Sequence, residues 1–320
     1  MSRAPALPSG RWHAAEAIPW LLAIACFFLF PGYRVLASHV FIAALFALSL
    51  DLVLGYAGIL TLGHAAFFGL GAYTAGLLAA HGWGEPFSGL ALAAAVAALG
   101  GLAVSFLVVR GTDLARLMVT LGVGLLLYEA ANRAAWLTGG VDGLSGVAMG
   151  KLFGVFPFDL FGNAAYAYTL AVLFALFVFT RRVAASPFGL SLRAIRENRA
   201  RMPALGAPVE RRLVAAFTLG AAIAGVAGAL LAQTTQFVGL DTLAFHRSAD
   251  VLVMLVLGGA GRLYGALVGT AVFMVAQDRL AGIDPVYWQF WLGLLLVAIV
   301  FVARGGILGA ADALRRRLRR

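Results

Sequence analysis

The chain alternates long apolar stretches with short polar connections. Apolar runs fall near residues 18–30, 40–54, 60–80, 89–109, 117–134, 164–180, 213–232 and 286–303, and a further apolar region between about 248 and 279 is interrupted by glycines. Most of these runs approach the ~20 residues that a helix needs to cross a hydrocarbon core. They lack the polar/apolar alternation over ~10 residues that marks a transmembrane barrel strand. The pattern predicts an all-α, polytopic helical membrane protein with about 8–10 transmembrane helices. The count is eight if the interrupted region is re-entrant and ten if it crosses twice.

Composition agrees with lipid as the solvent. Apolar residues make up 62% of the 320 residues and charged residues 12%, with a mean hydropathy of +0.94. A water-soluble domain could not cover that balance with polar surface. The single cysteine, Cys26, lies inside the first apolar run. It has no intrachain partner and says nothing of the redox compartment.

The net charge of +10 invites a nucleic-acid reading, but the arginines cluster in connections between apolar runs, and no soluble domain is large enough to form a basic groove. Eight arginines fall between Arg181 and Arg212 against Glu197 and Glu210, and Arg315, Arg316, Arg317, Arg319 and Arg320 close the chain. The positive-inside rule predicts both segments to be cytoplasmic. Counting spans back from the first of them puts the N-terminus inside as well. The sparsely basic 135–163 connection, with Asp142, Lys151 and Asp159, then falls outside. The chain divides into a cytoplasmic N-terminal segment (1–17), a transmembrane domain (18–303) carrying a cytoplasmic loop at 181–212, and a basic cytoplasmic tail (304–320). The first apolar run leads through Pro31-Gly32 into further membrane, with no small-residue cleavage site. No removable signal peptide is expected.

Candidate chemistry is sparse. There is no phosphate-binding loop, no Cys/His cluster at metal spacing and no nucleophile turn, so transport is a better starting class than catalysis. Asp51 and His64 bracket a glycine-rich membrane stretch that also holds Thr61. Ionisable groups at membrane depth cost energy and tend to face a cavity or a partner. The expectation for Asp51, Thr61 and His64 is a place on a pathway or gate, or a structural hydrogen bond. Gly69 and Gly76 follow Ala65 and Ala72 by four residues, and Gly220, Ala224 and Gly228 share one helix face. Such small residues let helices approach closely in lipid. The break at Gly258, Gly259 and Gly261 needs its backbone groups buried in protein or wetted. A cavity-lining hinge or a short cytoplasmic turn would serve, and Arg262 favours the turn.

Four segments, in order, carry a family resemblance. Gly55-Tyr-Ala-Gly58 followed by Leu62-Gly-His-Ala-Ala-Phe-Phe-Gly-Leu-Gly-Ala-Tyr-Thr-Ala75 resembles the signature of branched-chain amino-acid ABC permeases, the LivH/LivM family. Leu137-Thr-Gly-Gly-Val-Asp-Gly-Leu144 resembles the external loop of its M-type subunit. Arg193-Ala-Ile-Arg-Glu-Asn198 with Ala204-Leu205-Gly206 resembles its cytoplasmic loop, and Leu255 to Gly269 resembles its glycine-rich late segment. Ile59, Pro203 and Ala266 depart from the pattern.

The resemblance implies the transmembrane permease subunit of an ATP-driven importer in the bacterial cytoplasmic (inner) membrane, moving branched-chain amino acids delivered by an external binding protein. It implies an H-type permease partner and two ATP-binding subunits. The chain itself would need no cofactor, with ATP and magnesium held by the partner ATPases. Urea, short amides or other amino acids remain open as substrates. An ion-coupled secondary transporter is a weaker alternative, because Asp51 stands nearly alone and no internal repeat is visible. Leu192 to Leu205 is expected to form a short amphipathic helix ended by Gly206, with Pro203 kinking it into two turns. The resemblance assigns Arg193, Arg196, Glu197, Arg199, Ala200, Leu205 and Gly206 to ATPase contact. A plain positive-inside anchor would account for the arginines alone. Reporter fusions after Arg201 and at Arg320 should read cytoplasmic and one near Lys151 external; a cytoplasmic residue 151 would break the parity of the span count.

Overall fold

A computed structural model describes residues 14–150, 162–302 and 305–310. Lys151 and the tail arginines lie outside the described residues. Helix dominates, and no strand occurs among the described residues beyond an isolated antiparallel bridge between Leu144 and Val238. The helices are α1 (Ile18–Leu29), α2 (Arg34–Leu50), α3 (Ala65–Ala80), α4 (Pro86–Arg110), α5 (Asp113–Arg133), a single turn α6 (Ala135–Thr138), α7 (Asn163–Ala185), α8 (Pro187–Glu197), α9 (Val209–Thr235), α10 (Phe245–Gly258), α11 (Leu263–Ile283) and α12 (Trp288–Val302). Their starts follow from local chemistry. Proline opens α4 and α8, where its missing N–H would have been unpaired anyway. Thr112 and Ser186 side chains accept N–H groups of the first turns of α5 and α8, as N-caps do.

Among the described residues, six helical segments are long and apolar enough to cross a membrane: Pro31–Tyr56, Pro86–Arg110, Asp113–Arg133, Asn163–Ala185, Val209–Thr235 and Leu263–Ile283. Shorter apolar helices add to them, including α1 and α3. The bundle has a basic end, where α7 closes, α8 lies and α9 begins. There Arg181 bonds Glu16, which also accepts from the Tyr264 hydroxyl, so the starts of α1 and α11 sit beside the end of α7. At the far end Arg34 bonds Asn163 and the Phe27 carbonyl.

Three sequence expectations change. The 60–80 run is helical only from Ala65, while α2 starts at Arg34 and runs on into a π-helical turn, Asp51–Tyr56. The 248–279 region is a hairpin of two helices: a Cβ on Gly269 would meet the Met254 carbonyl and one on Gly258 the Gly265 carbonyl, so α10 and α11 run antiparallel from the turn between them. The expected Leu192–Leu205 helix is instead α8, which starts at Pro187 and ends at Glu197. Asn198 leaves helical geometry and its Oδ1 takes the Arg201 N–H at 3.0 Å. Pro203–Leu205 then forms one separate 3-10 turn, since proline cannot continue a helix from within.

Helix α9 is the centre of the bundle, flanked by α2, α3 and α4, while α2 packs in turn on α7, α10 and α11. A Cβ at Gly228 would lie 1.8 Å from the Phe68 carbonyl oxygen of α3, and one at Gly220 would meet Val53 and the Ser49 carbonyl of α2. Ala224, between them, is fully buried. This small-residue ridge is thus used inside the chain. Gly69 and Gly76 do something other than admit a helix: their open faces receive Leu243 and Val238 of the irregular segment before α10. Gly228→Ala should cost about 1–3 kcal/mol or more by overpacking and sharply reduce the monodisperse fraction in detergent chromatography. Gly122→Ala on α5, where a Cβ meets nothing within 4 Å, should leave that fraction unchanged.

Candidate functional site

Two interruptions of helix meet inside the bundle. The first follows α2. After its π turn, Gly58 takes a left-handed φ of +70°, which only glycine adopts at little cost, and the chain turns back along α2. His64 ends this return beside Ser49, with Nε2 and Oγ 2.9 Å apart. Seven residues separate Ser49 from Tyr56, so the return climbs about 10 Å from the basic end at 1.5 Å per residue. The second interruption precedes α10. Its Val238 lies against Gly76 and its Leu243 against Gly69, so it descends a similar distance beside α3. The two join where the Ala65 N–H, at the start of α3, donates to Ser248 Oγ at 2.8 Å.

Irregular backbone at membrane depth is tolerated only when protein or a wet cavity satisfies it. Protein does much of this here. Ile59 N–H bonds the Val53 carbonyl, Leu62 N–H bonds Thr120 Oγ1 and Gly63 N–H bonds Thr61 Oγ1. The Ser49 hydroxyl donates to the Phe46 carbonyl at 2.6 Å. Its proton being used there, it accepts from His64 Nε2, which fixes the tautomer. His64 also stacks on Phe46, with ring centroids 5.5 Å apart.

Beside this junction lies a cavity of about 330 Å³ between α5, the 62–63 backbone and the start of α10. Leu62, Leu125 and Tyr128 supply apolar wall, while Asp241, His246 and Ser248 supply polar groups. Asp241 is paired with Arg247 at 2.7 Å. Thr61 and His64 are almost wholly buried behind this wall, at 1% exposure.

Asp51 sits elsewhere, at the basic end. It is fully buried and its Oδ1 accepts the Gly261 N–H at 2.6 Å. That bond ties the π turn to the α10–α11 connection, 210 residues on. Gly259 and Gly261 hold left-handed φ values of +107° and +83°. Gly258 is pressed against the Gly265 carbonyl. The break is therefore a tight turn at the same end as α8.

The loop residues split into two groups. Arg193 and Arg196 engage the bundle: Arg193 stacks over the Tyr56 ring at 4.7 Å, and the Arg196 guanidinium donates to the Gly55 carbonyl. Arg199 donates to the Val109 carbonyl at the end of α4. Glu197, Ala200, Leu205 and Gly206 are exposed, Leu205 by 73%, and Gly206 has φ +76°. Glu197, Ala200 and Gly206 are thus spread over a helix end, a turn and a left-handed residue.

Residues with no mark in the sequence complete the site. Ser248 and Thr120 bind backbone N–H groups of the first break, yet both read as ordinary small polar residues of apolar runs. Fully buried Gln233 accepts from the Tyr168 hydroxyl at 2.8 Å and donates to the Pro86 carbonyl at 2.9 Å, joining α7, α9 and α4. A polar side chain closing an apolar run was the available signal for Gln233.

A helical bundle with two broken spans meeting beside a cavity, and a surface helix bonded to one of them, defines the class as a polytopic membrane transport protein. The chain belongs to the family described as branched-chain amino acid transport system / permease component, which matches residues 34–300. It is 32% identical to the high-affinity branched-chain amino acid transport system permease protein LivM of Salmonella typhimurium, over 85% of this chain and 69% of that protein. It is 31% identical to LivM of Escherichia coli, over 90% of this chain and 73% of that protein. The related permease protein LivH of Escherichia coli is 31% identical over 45% of this chain and 46% of its own length. No solved structure matches.

Removing the hydroxyl in Ser248→Ala leaves the Ala65 N–H without its acceptor. An unpaired buried donor costs about 1–3 kcal/mol. Thermal unfolding in detergent should shift down accordingly, whereas Ser88→Ala at the exposed far end should leave the midpoint unmoved.

Proposed function

We propose that this chain is the membrane-spanning permease subunit of an ATP-driven importer that moves branched-chain amino acids delivered by an external binding protein. The single observation that carries the reading is relatedness to two LivM proteins over most of the chain. The geometry is suited to the task. A cavity walled by leucines and lined on one side by Asp241, His246 and Ser248 offers both apolar and polar contacts to a zwitterion with an aliphatic side chain. Half-helix starts beside such a cavity direct partial positive charge at it.

The similarity to LivH supports a related H-type permease as the partner. The exposed apolar residues Leu114, Met118, Leu125 and Leu126 leave α5 free to face that partner or lipid. Two ATP-binding subunits would dock at the basic end on the exposed Glu197–Gly206 edge, holding the ATP and magnesium that this chain has no motif to bind. The basic end is then cytoplasmic, the chain lies in the bacterial inner membrane, and both termini are inside.

Glu197→Lys reverses charge on the docking edge, and Gly206→Val forces a β-branched residue into left-handed geometry. Both should insert normally yet lose roughly tenfold or more in ATPase co-purification and leucine uptake, the scale of one interface contact. Purified chain in liposomes should neither hydrolyse ATP nor take up leucine until partner permease, ATPases and binding protein are added. Uptake by the chain alone, driven by a proton or sodium gradient, would overturn the reading.

A further inference from the structure

At the basic end three backbone segments converge on two side chains. The Asp51 carboxylate lies between the π turn and the α10–α11 connection: a Cβ on Gly55 would meet Asp51 Oδ1 at 1.9 Å and the Gly261 nitrogen at 2.5 Å. Arg196 closes the junction from α8. Its side chain runs along Gly58, where a Cβ would meet its Cγ at 2.8 Å, and its Nη1 would lie 3.0 Å from a Cβ on Gly261. The guanidinium donates to the Gly55 carbonyl, the last turn before the chain reverses.

The junction is incompletely satisfied. Among the described residues, Asp51 Oδ2 is a buried acceptor and Arg193 Nη1 a buried donor, and neither has a hydrogen-bond partner. Arg193 and Arg196 are the cations acting on Asp51. Buried groups of this kind are rarely left unpaired without a functional reason. Here complementary orphans occupy one junction, so a small displacement of α8 can exchange one set of bonds for another.

We infer that Asp51, Arg193 and Arg196 form a two-state latch through which movement of α8 reaches both helix breaks. In this arrangement Arg196 holds the Gly55 carbonyl and Asp51 holds the Gly261 N–H. When α8 shifts, the guanidinium of Arg193 or Arg196 takes the free oxygen of Asp51, and the grip on the π turn and the glycine turn loosens. From the π turn the chain leads directly through 57–64 to the cavity wall at Leu62 and Gly63. From the glycine turn α10 leads to Ser248 on the same wall. The two arginines are positioning residues whose guanidinium groups reach the membrane domain, at the Tyr56 ring and the Gly55 carbonyl.

The inference rests on the proposed importer function, and its test separates the two. Arg196→Gln keeps a donor but loses the charged fork, and Asp51→Asn keeps an acceptor for Gly261 but loses the charge. In the complete transporter, both variants should retain co-purifying ATPases at wild-type level, while leucine stimulation of ATP hydrolysis and leucine uptake fall roughly five- to tenfold, the usual scale of coupling between sites. Arg196→Lys should recover part of the loss. Wild-type stimulation in both variants overturns the latch, and should Arg196→Gln fail to insert, Asp51→Asn decides alone. Loss of the ATPases from Arg196→Gln also overturns it, making Arg196 a docking residue and leaving the importer function intact. If Glu197→Lys and Gly206→Val keep ATPases and uptake while the latch variants lose stimulation, the docking edge is wrong and the latch stands.

Discussion

A hydrocarbon solvent offers no hydrogen bonds, and every backbone amide that leaves a helix at membrane depth must be met by the protein itself. This constraint governs the interior of the bundle. Two spans are broken, after α2 and before α10, and the freed groups of the first find Thr61, Thr120 and Ser248. The Ala65–Ser248 bond is the point on which the arrangement turns, since it makes one break a partner of the other. The chain could have crossed with unbroken helices at less cost. Broken spans joined beside a cavity place polar groups where lipid would otherwise exclude them.

The helical class and the rough positions of the spans were legible, because runs of apolar residues near bilayer length have few other physical solutions. The break at 57–64 was not. Ile59, Leu60 and Leu62 are as apolar as any helix residue, and glycine at 55, 58 and 63 reads equally as helix packing or as turn. Only backbone geometry at Gly58 separates the two. The ridge of Gly220, Ala224 and Gly228 was readable from spacing, though its partners on α2 and α3 were not, since small residues record closeness but not identity.

The basic loop shows a different limit. Its eight arginines between 181 and 212 read alike under the positive-inside rule, yet they do separate work. Arg181 ties α7 to the start of α1, Arg199 reaches the end of α4, and Arg193 and Arg196 turn to the π turn of α2. Charge pattern tells on which side of a membrane a loop lies but not which carbonyl each guanidinium meets. The family resemblance grouped Arg193 and Arg196 with Glu197 by sequence adjacency, and their contacts divide them: the two guanidinium groups reach Tyr56 and the Gly55 carbonyl, while Glu197 stands exposed at the end of α8.

Packing decides which parts of such a bundle can move. Helices in lipid gain little from burying apolar surface against one another, so their association depends on close contact. Around α9 that contact is backbone to backbone, at Gly228 with Phe68 and at Gly71 with Gly225. Interfaces this tight have no slack for sliding, so α2, α3, α4 and α9 behave as one block. The segments outside that ladder are the returns at 57–64 and 236–244 and the glycine turn before α11, which leave helical geometry and are tied across the bundle by individual hydrogen bonds, Leu62 to Thr120, Val238 to Leu144 and Gly261 to Asp51. A displacement applied to α8 therefore meets a stiff core and a few compliant joints, and physical economy directs it to the joints. Arg196 and Asp51 stand at the first of them.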